Sequence, residues 1–308
     1  MKKQPVLLLH QLLLLLIISS CQKMAEQHVQ QVSPSQASTV LSTLSSSDNR
    51  IIDLENASLG TGSILTDDGY SYAFITKGTY NTPYITNSDQ YRGCNSIAYA
   101  MPPTTVSGSI TNDKSQHRIF SGSDANALAF GVKKYFGFAI KPDNAMPQPT
   151  STVQIFQVWQ GTPMSPPVEL RLMPGGSGAT FNYELRIRNN NTTANPSAGV
   201  SVYSGTITRG QWNTFVIMTI MRNTADSQDG QIKLWQNGTL MIQWNGRAGY
   251  ADGIVYAGTV YTPNAKFDAF FGPYRPCQNV SLLLYYDEIR YGGAYTEADP
   301  DNGSVTCN

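Results

Sequence analysis

The feature that most constrains this chain is a succession of short strand-like runs separated by clusters of turn residues. No long segment shows the 3.6-residue period of an amphipathic helix. Short strands at such spacing predict an all-β fold, a two-sheet antiparallel β-sandwich of the jelly-roll or concanavalin-like kind. The twelve predicted strands lie at residues 71–76, 96–101, 135–141, 152–160, 168–173, 182–189, 199–207, 212–222, 231–238, 239–244, 269–275 and 281–292.

Alternation within the strands predicts which side chains face the core. In Val168–Met173 the apolar residues face one way, and Glu169 and Arg171 face the other. In residues 152–160 we expect Gln157 and Trp159 to share one face and Gln154 to lie on the other. One face of the sheet is therefore predicted to be polar.

Composition excludes some functions. Charged residues make up 14% of the chain and the formal net charge is zero. Binding to nucleic acid needs clustered excess positive charge, so we expect no nucleic-acid partner. The 17 tyrosines and 26 glycines are typical of an exported all-β protein with many turns.

The N-terminus predicts export. A basic start, Met1–Lys3, precedes an apolar run that ends in Ile-Ile-Ser-Ser-Cys. This ending resembles the lipobox of bacterial lipoproteins, whose cysteine is lipidated. We therefore predict a lipoprotein signal peptide at 1–20, a lipid anchor at Cys21 and an outer-membrane location, on its periplasmic or cell-surface side. Residues 21–50 are rich in Ser and Gln and predict a flexible tether, and 51–308 form the predicted domain.

Three further cysteines bear on disulfides, because exported chains can hold them. We favour one bridge between Cys277 and either Cys94 or Cys307. No cluster of histidine and cysteine has the spacing of a metal site. Thr224–Gly230 has acidic spacing like that of a calcium loop but lacks the terminal glutamate. We therefore expect no cofactor, with a bound calcium ion as the alternative. We also expect the protein to be a monomer.

Four segments, taken in order, resemble a known family. They are YFGFAIKPDN, QIFQVWQGTPMSPPVELRL, GQWNTFVIMTIMR with DGQIKLWQNG, and FFGPYR with LLLYYDEIRYG. The succession is similar to the β-jelly-roll polysaccharide lyases of the heparin lyase and alginate lyase type, over residues 115–292. The resemblance implies a sandwich with a concave substrate face that cleaves an acidic, uronic-acid-containing polysaccharide by β-elimination.

This reaction needs three groups: a neutraliser for the uronate carboxylate, a base for the C5 proton and an acid for the leaving O4. The resemblance implies that Tyr274, in Gly-Pro-Tyr, is the acid or base. Gly272 and Pro273 are predicted to interrupt the strand and present Tyr274 and Arg275 to the substrate. His117 is the only histidine of the predicted domain, and we predict it to be the second catalytic residue.

Substrate binding is predicted for a glutamine, three arginines and a tryptophan that would stack on a sugar ring. They are Gln157 (with Gln154 as its alternative), Arg118, Arg171, Arg275 and Trp159. The chain departs from the family at two places. Val158 and Trp159 stand where a histidine is common, and Phe270 stands where a lysine is common.

Two other functions fit parts of the sequence. A non-catalytic cell-surface carbohydrate-binding lipoprotein would need Trp159 and the arginines but not Tyr274. A glycoside hydrolase on the same fold would need a pair of carboxylates, for which Glu169 and Glu184 are the candidates. We expect Asp287, in the last predicted strand, to be structural.

Overall fold

The computed structural model describes residues 49–78, 80–108, 111–120, 128–192 and 198–303. The predicted signal peptide, Cys21 and the tether as far as residue 48 lie outside this part. No helix within the described ranges is long and apolar enough to cross a membrane.

The described part of the chain contains twenty strands, two 3-10 helices (Thr61–Ser63 and Asn190–Thr192) and one short α-helix, α1 (Tyr295–Ala298). The strands are β1 (Arg50–Ile52), β2 (Ser58–Leu59), β3 (Leu65–Asp67), β4 (Tyr70–Lys77), β5 (Tyr84–Thr86), β6 (Ser96–Met101), β7 (Asn112–Phe120), β8 (Leu128–Ala129), β9 (Lys133–Pro142), β10 (Val153–Trp159), β11 (Val168–Met173), β12 (Thr180–Ile187), β13 (Val200–Thr208), β14 (Asn213–Ile220), β15 (Gly230–Gln236), β16 (Thr239–Gly246), β17 (Ile254–Tyr256), β18 (Thr259–Tyr261), β19 (Lys266–Pro276) and β20 (Leu282–Gly292). All twelve predicted strands are confirmed.

Two large antiparallel sheets form a sandwich, as predicted. The ten-stranded sheet has the order β13-β12-β11-β10-β19-β7-β4-β3-β2, with β8 beside β19. The eight-stranded sheet has the order β16-β15-β14-β9-β20-β6-β5, with β1 beside β20. β17 and β18 form a separate hairpin.

The core lies between the two sheets. It is built from the apolar residues at alternate strand positions that face inward. Phe156 of β10 stacks on Phe138 of β9 with ring centroids 5.8 Å apart. Tyr183 meets Phe215 edge to face at 5.2 Å. Such aromatic pairs add to the burial energy that joins the layers. We call the side of the ten-stranded sheet that faces away from this core the outer face.

A β-bulge in β10 decides which glutamines reach the outer face. Against β11, Ile155 is the extra residue between Gln154 and Phe156. The register with β19 also shifts here, and Ile155 lies opposite both Gly272 and Pro273. Gln154 therefore shares the outer face with Gln157 and Trp159, because all three pair with alternate residues of β19. The expectation that Gln154 lies on the opposite face is wrong.

The cysteines also differ from expectation. Cys94 is disulfide-bonded, and Cys277 keeps its thiol. The predicted bridge to Cys277 is therefore wrong. Cys307 lies outside the described residues.

Candidate active site

Tyr274 lies on the outer face at the centre of the ten-stranded sheet. β19 continues through Gly272 and Pro273, but its pairing with β10 shifts register at these two residues. Gly272 has φ of 99°, and a Cβ there would lie 2.6 Å from the Ser115 carbonyl oxygen. Only glycine permits this close approach of β19 to β7. The strand pairing then places Tyr274 between Gln154 on β10 and Lys114 on β7.

Lys114 is the residue of this site that the sequence analysis missed. Its Nζ lies 5.4 Å from the centre of the Tyr274 ring and 4.9 Å from that of Phe270. It also lies 5.8 Å from the Trp159 ring. Burial lowers the pKa of Lys114 to about 8; Asp268 opposes this shift and the positive charge of Lys77 adds to it.

The pKa of Tyr274 moves in the opposite direction. Burial raises the pKa of the phenol, and the negative charge of Glu169 and the nearby Tyr256 raise it further. Tyr256 belongs to the β17–β18 hairpin, so this hairpin comes close to the site. At neutral pH Tyr274 is therefore a proton donor, and Lys114 is poised to lose its proton.

A chain of amides supports the floor of the site. Gln157, only 2% exposed, donates from Nε2 to Oε1 of Gln116 at 2.8 Å. Gln116 in turn donates to the carbonyl of Gly272 at 2.9 Å. These bonds tie β10, β7 and β19 together beneath Tyr274. Gln154 is more exposed, and its Nε2 donates to Glu169 at 2.7 Å.

Arg118 is the most accessible of the predicted arginines. It lies on the outer face opposite Phe270, and 36% of its side chain is exposed. Its contact with Asp268 is loose, with Nη1 3.9 Å from Oδ2. A guanidinium held so weakly remains available to an incoming carboxylate.

Arg171 also faces outward, but two carboxylates already bind it. Its Nη1 lies 3.0 Å from Glu169, and its Nε donates to Glu184 at 2.6 Å. Glu169 also forms an ion pair with Arg188, with Nη2 2.8 Å from Oε1. Glu184 forms one with Arg186, with Nε 2.8 Å from Oε1. Arg171 therefore holds Glu169 and Glu184 in place at the edge of the site.

The same ion pairs argue against the glycoside hydrolase alternative. Glu169 is fully buried. Burial alone would raise the pKa of Glu184, but the hydrogen bond from Arg186 and the charges of Arg171 and Arg186 hold it below its usual value. A glycosidase acid needs a raised pKa.

His117 does not lie in the site. It is fully buried on the core side of β7, because its neighbours Gln116 and Arg118 occupy the outer face. Its Nε2 donates to the Ser63 carbonyl at 2.8 Å, so Nδ1 accepts from the Tyr99 hydroxyl at 2.5 Å. Burial lowers the pKa of His117 to about 4. His117 is a neutral core residue, and its predicted catalytic role does not fit this position.

Arg275 is likewise on the core side. Adjacent strand residues face opposite ways, so Tyr274 and Arg275 cannot both reach the substrate. Arg275 is buried beside Asp113, with 3.7 Å between Nε and Oδ2. It donates to the carbonyls of Val280 at 2.7 Å and Pro102 at 2.6 Å. Its predicted role in substrate binding does not fit.

Trp159 lies on the outer face, as predicted, at the end of β10. Its Nε1 donates to the Met164 carbonyl at 2.9 Å, and its ring meets Phe270 at 6.2 Å. The structure thus brings together Tyr274, Gln157, Arg118, Arg171 and Trp159. Among the residues described, no group of three or more metal-binding side chains is arranged to hold a metal ion.

Comparison with known proteins identifies the family. Residues 83–290, more than half of the chain, match the family described as polysaccharide lyase. The chain therefore belongs to the polysaccharide lyase family, and it is an enzyme of that class. No match is found among curated proteins.

One solved structure supports the fold, and a second is similar at a lower TM-score. An endo-β-1,4-glucuronan lyase from the fungus Trichoderma reesei is 14% identical with a TM-score of 0.51, covering 74% of this chain and 94% of that one. An alginate lyase from Klebsiella pneumoniae is 13% identical with a TM-score of 0.44, covering 71% of this chain and 87% of that one. The glucuronan lyase carries the fold comparison.

Proposed function

We propose that the protein cleaves a uronic-acid polysaccharide by β-elimination on the outer face around Tyr274. The observation that carries this proposal is the placement of Tyr274 opposite Lys114 on adjacent strands. Two titratable groups whose pKa values move apart in one site are the pattern of an acid and a base. Membership of the polysaccharide lyase family supports the reaction class.

The substrate carboxylate needs donors that become stronger partners as the C5 proton leaves. Arg118 is an exposed donor on one side of the Tyr274–Lys114 pair. Gln154, half-buried and also bonded to Glu169, is the donor on the other side, and Gln157 lies buried beneath. Preorganised donors of this kind stabilise the charge that builds on the carboxylate. Trp159 offers a ring face to a neighbouring sugar.

The proton transfers then divide between Lys114 and Tyr274. Lys114, as the free amine, takes the C5 proton while the electron pair forms the C4–C5 double bond. The C4–O4 bond breaks, and Tyr274 gives its phenolic proton to O4. The ammonium and phenolate left behind exchange a proton through solvent, which restores both groups.

The polymer is proposed to carry one carboxylate per sugar without dense sulfation. The chain has a formal net charge of zero. A heavily sulfated chain would need more cations. The fold is shared with a glucuronan lyase, so glucuronan is the first candidate.

The test is an assay for unsaturated product. Glucuronan, alginate, heparin-type and pectin-type chains are incubated with the protein, and ultraviolet absorbance of the new double bond is followed. We expect product from at least one uronan, and loss of it in Tyr274→Phe with polymer binding retained. A Tyr274→Phe variant as active as the wild type would remove Tyr274 from the mechanism, and no product on any polymer would refute the lyase.

We also infer that the chain is exported and anchored by a lipid at Cys21. The basic start, the apolar run and the Ser-Ser-Cys ending support this. In cells fed a labelled fatty acid, the wild type should take up label and Cys21→Ser should not. An unlabelled wild-type chain would contradict the anchor.

A further inference from the structure

The opposite side of the sandwich carries a second set of exposed functional groups. We call the side of the eight-stranded sheet that faces away from the core the back face. On it the Trp235 ring of β15 lies 6.2 Å from the Tyr135 ring of β9. It also lies 5.0 Å from the Tyr295 ring of α1. All three rings are only half-buried, so their free faces form an aromatic platform.

Two lysines stand beside this platform. Lys233 precedes Trp235 by two residues and shares its face, and Lys133 lies on β9 two residues before Tyr135. Burial lowers the pKa of Lys233, and the positive charge of Lys133 lowers it further. The two ammonium groups are thus near enough to repel each other.

No carboxylate in the described part of the chain pairs with either lysine. The back-face positions of β9, β14, β15 and β16 hold no acidic residue at all. The acidic groups beside the platform are Asp299, which accepts a hydrogen bond from Tyr295, and Asp301, whose negative charge also acts on Tyr295; neither forms a salt bridge with Lys133 or Lys233. Neighbouring cations without a counter-charge favour an anionic ligand.

Amides complete the surface. Gln243 lies opposite Lys233, and Asn245 lies opposite Gln231. Gln231 donates from Nε2 to Oδ1 of Asn245 at 2.9 Å. Rings with free faces, amides and uncompensated lysines together suit a ligand that is both a sugar and an anion.

We propose that the back face around Trp235 is a second binding surface for an acidic polysaccharide, separate from the site at Tyr274. The sugar rings stack on Trp235 and Tyr135, and the uronate carboxylates pair with Lys133 and Lys233. The uronate class of the ligand rests on the proposed function. This surface would hold the polymer while another stretch of it enters the cleavage site.

Binding is tested in the full chain carrying Tyr274→Phe, so that the polymer stays intact. Mobility in native gels containing glucuronan or alginate is compared for Trp235→Ala and for the pair Lys133→Gln with Lys233→Gln. The matched control is Lys141→Gln, on the same face of β9. Lys141 already pairs with Asp89, with Nζ 2.6 Å from Oδ1, so it has little charge to offer.

We expect the double lysine variant to weaken polymer binding by about fivefold or more, since two exposed ion pairs are lost. Trp235→Ala should weaken it to a similar extent, and Lys141→Gln should bind like its parent. A neutral polymer, hydroxyethyl cellulose, should show no effect of the lysines. Because Trp235 also supports α1, thermal melting checks its fold, and the lysine variant does not depend on that contact.

Kinetics separate this proposal from the proposed function. In the chain with Tyr274 intact, the back-face variants should raise KM for the polymer and leave cleavage of a tetrasaccharide unchanged. Equal polymer binding by parent and both variants would overturn the second surface, even if cleavage is normal. Absence of cleavage would refute the lyase mechanism, whereas the gel assay would still report on the back face.

Discussion

Lys114 lies directly across from Tyr274, with its ammonium nitrogen 5.4 Å from the centre of the phenol ring. The same nitrogen lies over Phe270 and Trp159, the positions at which the resemblance implied a lysine and a histidine. We propose that this lysine from the neighbouring strand supplies the titratable group that was predicted at His117, which lies in the core.

The role of Lys114 as a base predicts a particular pH dependence. The amine is the active form, and its pKa is lowered to about 8, so kcat/KM should rise with pH and level off above about 8. Lys114→Arg keeps the positive charge but cannot lose its proton. It should reduce kcat by ~100-fold or more, the usual contribution of a general base, and abolish the rising limb.

The exposed neighbour Lys77 is the control for this experiment. Its positive charge helps to lower the pKa of Lys114. Lys77→Gln should therefore move the rising limb to higher pH with little loss of activity at the plateau. An active Lys114→Arg variant would instead assign Lys114 to charge neutralisation, with the base elsewhere.

Gly272 predicts a link between backbone conformation and activity. Gly272→Ala places a Cβ against the Ser115 carbonyl at a positive φ. We expect a loss of about 2–4 kcal/mol in the free energy of unfolding, from crowding and backbone strain together. Because β19 must shift away from β7, kcat should fall as well. Urea unfolding measures the loss of stability, and the assay for unsaturated product measures kcat.

Gly238 provides the matched control. It also has positive φ, but a Cβ there would have no neighbour within 4 Å. Gly238→Ala should cost about 1 kcal/mol, from backbone strain alone, and leave kcat unchanged. Equal losses in both variants would show that the approach of β19 to β7 is unimportant.

Arg275 tests the assignment to the core. Arg275→Met removes the guanidinium beside the buried carboxylate of Asp113, so we expect a loss of about 3–5 kcal/mol in the free energy of unfolding. Addition of Asp113→Asn should recover part of it. KM measured below the melting temperature should not change. A raised KM with normal stability would instead return Arg275 to the substrate.

Periodicity predicted the twelve strands because their core-facing residues are apolar. β7 was missed because its core side carries Asp113, Ser115 and His117, so no apolar alternation marks it as a strand. The sequence therefore contains little sign that Lys114 lies on a strand of the site. The only indication was that Gln116 and Arg118 follow it at alternate positions.

The wrong predictions for Gln154 and Arg275 both concern the rule that successive strand residues face opposite sides of the sheet. The bulge at Ile155 reverses that rule and brings Gln154 beside Tyr274. Pattern alone could not locate a one-residue shift. In β19 the pairing with β7 keeps a constant register from Phe270 to Pro276, so alternation applies there and places Tyr274 and Arg275 on different sides. Alternation applied strictly through Gly272 and Pro273 would have placed Arg275 on the core side.

Asp67 predicts how stability depends on pH away from the active site. Its side chain is buried, and burial raises its pKa from 3.8 to about 6 against the opposing hydrogen bond from the Leu54 amide, with Asp53, Asp68 and Glu55 adding to the rise. Since the folded-state pKa exceeds the unfolded one, the folded protein binds the extra proton between about pH 4 and 6. Stability should therefore fall as pH rises through this window.

Asp67→Asn removes the charge and keeps an acceptor for Leu54. We expect the free energy of unfolding at pH 7 to increase by at most about 3 kcal/mol, the value of two pKa units. The increase should vanish near pH 4. The exposed Asp68→Asn serves as control and should change stability by less than about 0.5 kcal/mol. Urea unfolding at pH 4, 5, 6 and 7 decides the matter, and a constant difference across this range would show that Asp67 does not titrate there.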